Sequence, residues 1–437
     1  MKKLISSILI LTMAVSLFAG CGKKEEKTDT TAETTTAAAT TAAAETTEAP
    51  EEVSQGVTDT TIKVGNTAAT SGALAAVGVP FNAGIEAYFK TVNDAGGING
   101  RKIEFVHYDD EFDPVKAKSA TEKLINDDKV FAIVGHFGTP TIGATLDMLK
   151  ETGIPTVYFA AGIASLYNED ATTVEKGQGL FPVQPIYVTE GRLMVARAIE
   201  QHQAKKIGVI YTNDDAGKDL LSGVENQIGK LGGEYSVVKE QINPGATDVT
   251  SAALKMKNEN VDIIIAASIQ ATLPTIIKGL ISQGVSKPVF TTYSNADATT
   301  ISNFAADYAA MGEQFPIYSN AWVDLSNQDE VDAFVKGMTD FGQPDYAGNA
   351  FAMAGWIAGY FMVEGLNRTE GALNWENFNA AMESAEFKIP MGGTLNYADG
   401  QRLGTQSMSL LKVSADGTVW ENVKPVEDLN VILDRVQ

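Results

Sequence analysis

One cysteine in 437 residues, Cys21, is all the thiol this chain has, and its three histidines, His107, His136 and His202, stand far apart. A single thiol excludes an internal disulfide. Scattered imidazoles without ligand spacing make no zinc motif. Basic residues are also scarce: 33 Lys and Arg stand against 55 Asp and Glu, a formal net charge of -22. Nucleic-acid phosphates need stripes of Lys and Arg, so that partner is disfavoured, and an acidic chain gets no electrostatic help at an anionic bilayer. A nucleophile elbow, a Walker loop and a two-histidine zinc helix are all missing. Gly177-Gln178-Gly179 lacks the third glycine of a dinucleotide loop. The chain reads as a binder of a small solute, not an enzyme, with no cofactor and no metal.

What is present begins with a leader. Met1-Lys2-Lys3 is basic, Leu4 to Phe18 is apolar, and Ala19-Gly20 is a small pair. That order describes a secretory signal peptide over residues 1–20, too short to remain as a spanning helix. Leu17-Phe18-Ala19-Gly20-Cys21 resembles the lipobox of bacterial lipoproteins, which implies cleavage before Cys21, its lipidation, and a protein held outside the cytoplasm on the cell membrane. Residues 21–56 are rich in Thr, Ala and Glu, with Thr34-Thr35-Thr36-Ala37-Ala38-Ala39-Thr40-Thr41 at their centre. Such a composition buries too little apolar surface to offset ordering entropy, so a disordered tether is expected.

From Thr61 the texture changes. Ile62-Lys63-Val64-Gly65 reads as a strand, and Phe81-Ile85-Tyr88-Phe89-Val92 recur at helical spacing. Ile103 to Tyr108 is strand again, Lys116 to Ile125 helix, and Val130 to Gly135 a continuous apolar strand. The alternation restarts with Lys206 to Tyr211, Gly217 to Leu231, Tyr235 to Val238, Val249 to Lys257 and Val261 to Ala267. Strands alternating with helices and apolar on both faces predict parallel, doubly wound sheets. With 44% hydrophobic residues and too much chain for one core, two α/β lobes with separate cores are expected. Ligands of such sheets bind outside the strands' carboxyl ends, here in a cleft between lobes.

Several stretches in order carry a family likeness. Val92-Asn93-Asp94-Ala95-Gly96-Gly97-Ile98-Asn99-Gly100-Arg101-Lys102-Ile103 is followed by Asp109-Asp110, Asp113-Pro114, Lys123-Leu124-Ile125 and Val134-Gly135-His136. Gly245-Ala246-Thr247-Asp248, Pro390-Met391-Gly392-Gly393 and Asp399-Gly400 complete the set. Together they resemble the branched-chain amino-acid-binding branch of the type I periplasmic binding proteins, the solute receptors of ATP-driven (ABC) importers. The resemblance implies two Rossmann-like lobes joined by three crossovers: 57–184 plus 296–386, and 185–295 plus 387–437. It also implies capture of an amino acid, amide or small organic acid and its delivery to permease subunits. A ligand-sensing surface receptor of the same fold, without a transport role, is the alternative.

By position, the resemblance implies a first-lobe site built from Phe137, Gly138 and Thr139, then Ala160, Ala161 and Gly162. Thr139 falls at the family's serine hydroxyl, while Gly162 stands where a second hydroxyl is usual. The acidic residue that pairs with a ligand ammonium aligns with Thr272, beside Gln270, and covering aromatics align with Val77 and Ala216. Asp214 or Asp215 is then a replacement for the acid or a helix cap, and Asp215 is retained as a site residue. Gln184 and Tyr187 follow Phe181-Pro182, where the chain first changes lobes and faces the cleft. Trp322, Trp356, Trp375 and Trp420 fall outside these loops, and His136 reads as a structural histidine.

Overall fold

The computed structural model describes residues 52–166, 179–270, 272–311 and 314–436. The leader, Cys21 and the tether to residue 51 lie outside the described residues. The last tether residues correct the expectation of disorder up to 56. Ser54 N–H donates to Leu373 O at 3.1 Å, and the Gln55 amide donates to Ile125 O and Val130 O at 3.2 and 2.9 Å. A side-chain amide here satisfies carbonyls that the helix end and strand entry leave unpaired.

The first sheet has the order β2-β1-β3-β4-β5. Its strands are β1 (Thr61–Ala68), β2 (Lys102–Asp109), β3 (Ala132–Phe137), β4 (Thr156–Ala160) and β5 (Leu180–Phe181), linked by α1 (Ala75–Asp94), α2 (Pro114–Asn126) and α3 (Thr139–Thr152). All are parallel, and every residue of β3 is buried, as a strand covered on both faces must be. Asp113 caps α2 by accepting from Val115 N and Lys116 N at 2.7 and 3.0 Å, and Pro114 occupies the first position, where its missing N–H costs nothing.

The second lobe runs α4 (Tyr187–His202), β6 (Lys206–Thr212), α5 (Asp215–Leu231), β7 (Ser236–Ile242), α6 (Thr250–Asn258), β8 (Ile263–Ala267), α7 (Thr272–Ser282) and β9 (Val289–Thr291). Next come α8 (Ala298–Ser302), α9 (Ala305–Ala309) and β10 (Ile317–Ala321), which pairs in parallel with β9. The expected return at 296 is therefore late: residues 298–316 are the crossover that β10 requires. Only after Ala321 does the chain rejoin the first lobe, through α10 (Gln328–Asp340), α11 (Ala350–Arg368) and α12 (Trp375–Glu383).

The crossing expected at 387 is late as well. The hairpin β11 (Phe387–Lys388) with β12 (Thr394–Leu395) stays with the first lobe: Phe387 stacks on Phe361 at 5.1 Å and Tyr397 OH donates to Pro182 O at 2.9 Å. Thr405 N–H and Oγ1 then donate to Val183 O at 2.9 and 2.6 Å, binding the third crossing to the first. The chain ends in β13 (Ser407–Val413), β14 (Trp420–Asp428) and α13 (Leu429–Asp434). The second sheet is thus β14-β13-β10-β9-β8-β6-β7.

The cores are not divided by lobe. On β8, Ile263, Ile265 and Ala267 join a cluster continuous with the first lobe, whereas Ile264 and Ala266 join another with Leu273, Ile276 and Ile277 of α7. The period-two alternation of a strand sends successive residues to opposite faces. One face is shared with the first lobe and the other is private.

Where α1 meets α11, Gly84 and Gly355 let two backbones touch. A Cβ on Gly355 would lie 1.8 Å from Phe81 O, and one on Gly84 2.0 Å from Ala352 O. Gly355→Ala must separate the helices, an overpacking cost of about 1–3 kcal/mol, read as a lower midpoint in urea unfolding. A midpoint equal to that of the parent would show that the helices need no such approach.

Candidate functional site

β3 delivers Phe137 and Gly138 to the carboxyl edge of the first sheet, and α3 starts there with Thr139. Helix starts leave backbone N–H groups without partners and favour anions. Thr139 is 3% exposed, and its Oγ1 makes no hydrogen bond of ordinary geometry, although it stands close enough to the Tyr187 phenol to influence it. Thr141, by contrast, turns its hydroxyl back to Phe137 O and Gly138 O. A cavity of about 120 Å³ opens in front of Thr139 and reaches the second lobe.

Aromatic rings make much of its wall. Phe112, Phe137, Phe81, Tyr158 and Trp322 form a chain of ring contacts, with centroids 6.4, 5.7, 5.9 and 6.4 Å apart in that order. Across from them Tyr187 stacks on Tyr293 at 5.9 Å. Tyr293 OH donates to Gln184 Oε1 and Pro185 O at 3.2 and 3.0 Å, and Gln184 Nε2 donates to Tyr158 OH at 2.9 Å. Burial raises the Tyr187 phenol, opposed by the Ser294 and Thr139 hydroxyls, and holds Tyr293 well above its ordinary value. Both rings are neutral walls at physiological pH.

Seven residues singled out in the sequence line this cavity: Phe137, Gly138, Thr139, Ala160, Gln184, Tyr187 and Gln270; Val77 does as well. Three do not. Ala161 is buried behind the wall. A Cβ on Gly162 would lie 2.4 Å from Pro185 O, 2.8 Å from Tyr293 OH and 3.0 Å from Tyr187 Cδ1. The tyrosine pair fills the space a hydroxyl-bearing residue would need, which is why glycine stands there. Asp215 opens α5 away from the cavity, next to Asp214, which caps that helix by accepting from Gly217 N at 2.8 Å. Neither aspartate lines the cavity. Thr272 accepts from Gly245 N at 3.2 Å and, like Ala216, is absent from the lining.

Several lining residues lie outside the expected set, among them Tyr293, Ser294, Phe112, Trp322 and Asp297. Trp322, expected outside the site, follows β10 directly and closes the cavity. Asp297, after β9, is 6% exposed and lines it too. Its carboxylate accepts from Thr300 N at 2.9 Å and Thr300 Oγ1 at 2.5 Å, with no ion-pair partner among the described residues. Burial raises its pKa against those hydrogen bonds. Trp322 and Asp297 both obey the rule that ligands gather at the carboxyl edge of a parallel sheet. Both lie beyond residue 296, where the expected return to the first lobe would have removed them from the second-lobe edge.

His136 is fully buried, with Nε2 2.7 Å from Thr145 Oγ1. No group of three or more metal-ligating side chains occurs among the described residues.

Against this geometry, a family model described as periplasmic binding protein matches residues 61–418. An amino acid binding protein of Pseudomonas aeruginosa is 27% identical over 219 residues, 49% of this chain and 56% of its own length. The Leu/Ile/Val-binding protein of Escherichia coli strain K12 is 25% identical over 248 residues, 57% of this chain and 65% of its own length. The chain thus spans less than two thirds of these two relatives. Among solved structures, a branched-chain amino acid transporter substrate binding protein of Streptococcus pneumoniae in complex with isoleucine superposes with a TM-score of 0.67. It is 22% identical, with 84% of this chain and 100% of that one covered.

The burial of His136 yields a signed pH dependence. Burial lowers its imidazole from 6.5 to about 4, so the unfolded chain binds the proton more readily between those values. The contribution is complete above pH 6.5 and fades as pH falls toward 4. Acidifying from pH 7 to 5 should cost the parent on the order of 2 kcal/mol more than His136→Gln, measured by urea unfolding at each pH. Equal losses in the two proteins would mean that the imidazole is not held neutral.

Proposed function

The chain belongs to the periplasmic binding protein family, whose members bind solutes and are not enzymes, and we propose that it captures an amino acid or closely related small solute for an ABC importer. One observation carries this reading. The cavity holds two buried polar groups that lack partners of their own kind, the Thr139 hydroxyl from the first lobe and the Asp297 carboxylate from the second. A ligand carboxylate suits the start of α3, where amides and the Thr139 hydroxyl donate. A ligand ammonium suits Asp297, because a desolvated carboxylate gains most from a cation. The phenyl and indole rings between them suit an apolar body.

Closure of one lobe on the other would sequester the solute, and the closed form is what a permease would receive. The leader and Cys21 support placing the protein outside the cytoplasm on a lipid anchor. No helix among the described residues is long and apolar enough to cross a membrane.

Thr139→Val keeps the shape and removes the donor. Affinity for the bound solute should fall by about 1–3 kcal/mol, roughly five- to 150-fold, while the melting temperature of the empty protein stays put. A drop in stability with unchanged affinity would make Thr139 a turn residue and remove it from the site. For the anchor, Cys21→Ser should release the full-length protein from the membrane fraction into the soluble one. Retention of the variant on membranes would defeat the lipoprotein reading.

A further inference from the structure

Glu190 is 0% exposed, yet no lysine, arginine or histidine lies within ion-pairing distance of it among the described residues. The buried Arg197, two turns along α4, donates instead to Ser409 O and Met408 O at 2.7 and 2.9 Å. A carboxylate without a cation in a protein core costs several kcal/mol unless hydrogen bonds offset it. Its bonds are three. Oε1 accepts from Tyr293 N at 2.7 Å and Asn320 Nδ2 at 3.1 Å, and Oε2 accepts from Thr292 Oγ1 at 2.5 Å. All three donors favour the ionised form, although burial pushes the group up to about 7.

The identity of those donors is what matters. Tyr293 belongs to the cavity wall, Thr292 precedes it, and Asn320 stands two residues before Trp322. Glu190 itself sits one helical turn beyond Tyr187, on the same face of α4. Three separate segments of the ligand wall, carried by α4, β9 and β10, therefore meet at one carboxylate. An apolar core residue would satisfy burial better, and it would leave the Tyr293 amide without an acceptor.

We propose that Glu190 is the positioning residue of the second-lobe half of the ligand site, fixing Tyr293 and the Trp322 segment against Tyr187 without touching the ligand. The proposal rests on the amino-acid reading of the cleft. With Tyr293 held, its ring stacks on Tyr187 and its hydroxyl reaches Gln184 and Pro185 of the first crossing. The turn that continues through Ser294 then brings Asp297 to the cavity.

The test is calorimetric titration of the parent, Glu190→Gln and Glu190→Leu with the twenty proteinogenic L-amino acids, corrected for the folded fraction. Glutamine keeps the Oε1 acceptor for Tyr293 and Asn320, whereas leucine keeps none. Glu190→Leu should weaken the tightest parent complex by about tenfold or more, and Glu190→Gln should restore most of that loss. A smaller loss in Glu190→Leu, or an equal loss in both variants, overturns the proposal while leaving the receptor reading intact. A parent that binds none of the twenty overturns the amino-acid reading and this proposal with it. If Glu190→Leu does not fold, Thr292→Val removes one donor only. A loss of about threefold or more then supports the role, and a smaller one overturns it.

Discussion

A parallel sheet sends the carboxyl end of every strand, and the start of every following helix, to a single edge. In this protein two such edges border one cavity. Phe137 and Thr139 arrive from β3, Ala160 from β4, Ile269 and Gln270 from β8, Tyr293 and Asp297 from β9, and Trp322 from β10. None of these residues is near another set in sequence. The architecture alone gathers them, and it supplies unpaired helix-start amides at the same place.

What the cavity can hold is decided by a balance of polar and apolar demands. Its rings offer a dry surface on which an apolar body gains about 25 cal/mol for each Å² removed from water. That surface does not discriminate between solutes of similar shape. Discrimination comes from the few groups with something still to bond. A buried hydroxyl without a partner, as at Thr139, forfeits about 1–3 kcal/mol, and the Asp297 carboxylate has hydrogen bonds but no cation, so on the proposed reading these are the two groups a complementary ligand would satisfy. The neutral phenols of Tyr187 and Tyr293 add shape without adding charge.

The first lobe was legible because its elements announce themselves. Asp113-Pro114 is a cap followed by proline, and the apolar run Val130 to Gly135 overlaps β3, Ala132–Phe137, with both ends displaced by two residues. Thr139 and Ala160 came from the family resemblance, and they stand at the carboxyl ends of β3 and β4. The second lobe was harder for a physical reason. Phe315 to Ala321 alternates apolar residues with Pro316, Ser319 and Asn320, so β10 lacks the continuous apolar signature of β8 and was not recognised as a central strand. Its polar residues are buried because they bond to Thr292 O, Asn320 O and Glu190, partners that no local pattern reveals. Losing β10 displaced the second crossing, and with it went Asp297 and Trp322. The exchange of a side chain at Gly162 for the Tyr187–Tyr293 stack is similarly non-local, since it joins residues more than a hundred positions apart.

The central claim is that a carboxylate and an ammonium on one ligand are read from opposite lobes. Calorimetric titration of the intact protein with L-leucine, L-phenylalanine and their deaminated counterparts, 4-methylpentanoate and 3-phenylpropanoate, tests it most directly. Each pair shares the apolar body and the carboxylate and differs only in the amine that Asp297 would hold. At least one amine-bearing member should bind more tightly than its partner by about tenfold or more, the worth of a charge-assisted hydrogen bond in a desolvated site. Equal or tighter binding of the deaminated acids would contradict it, leaving a carboxylate receptor in which Asp297 does no more than cap α8.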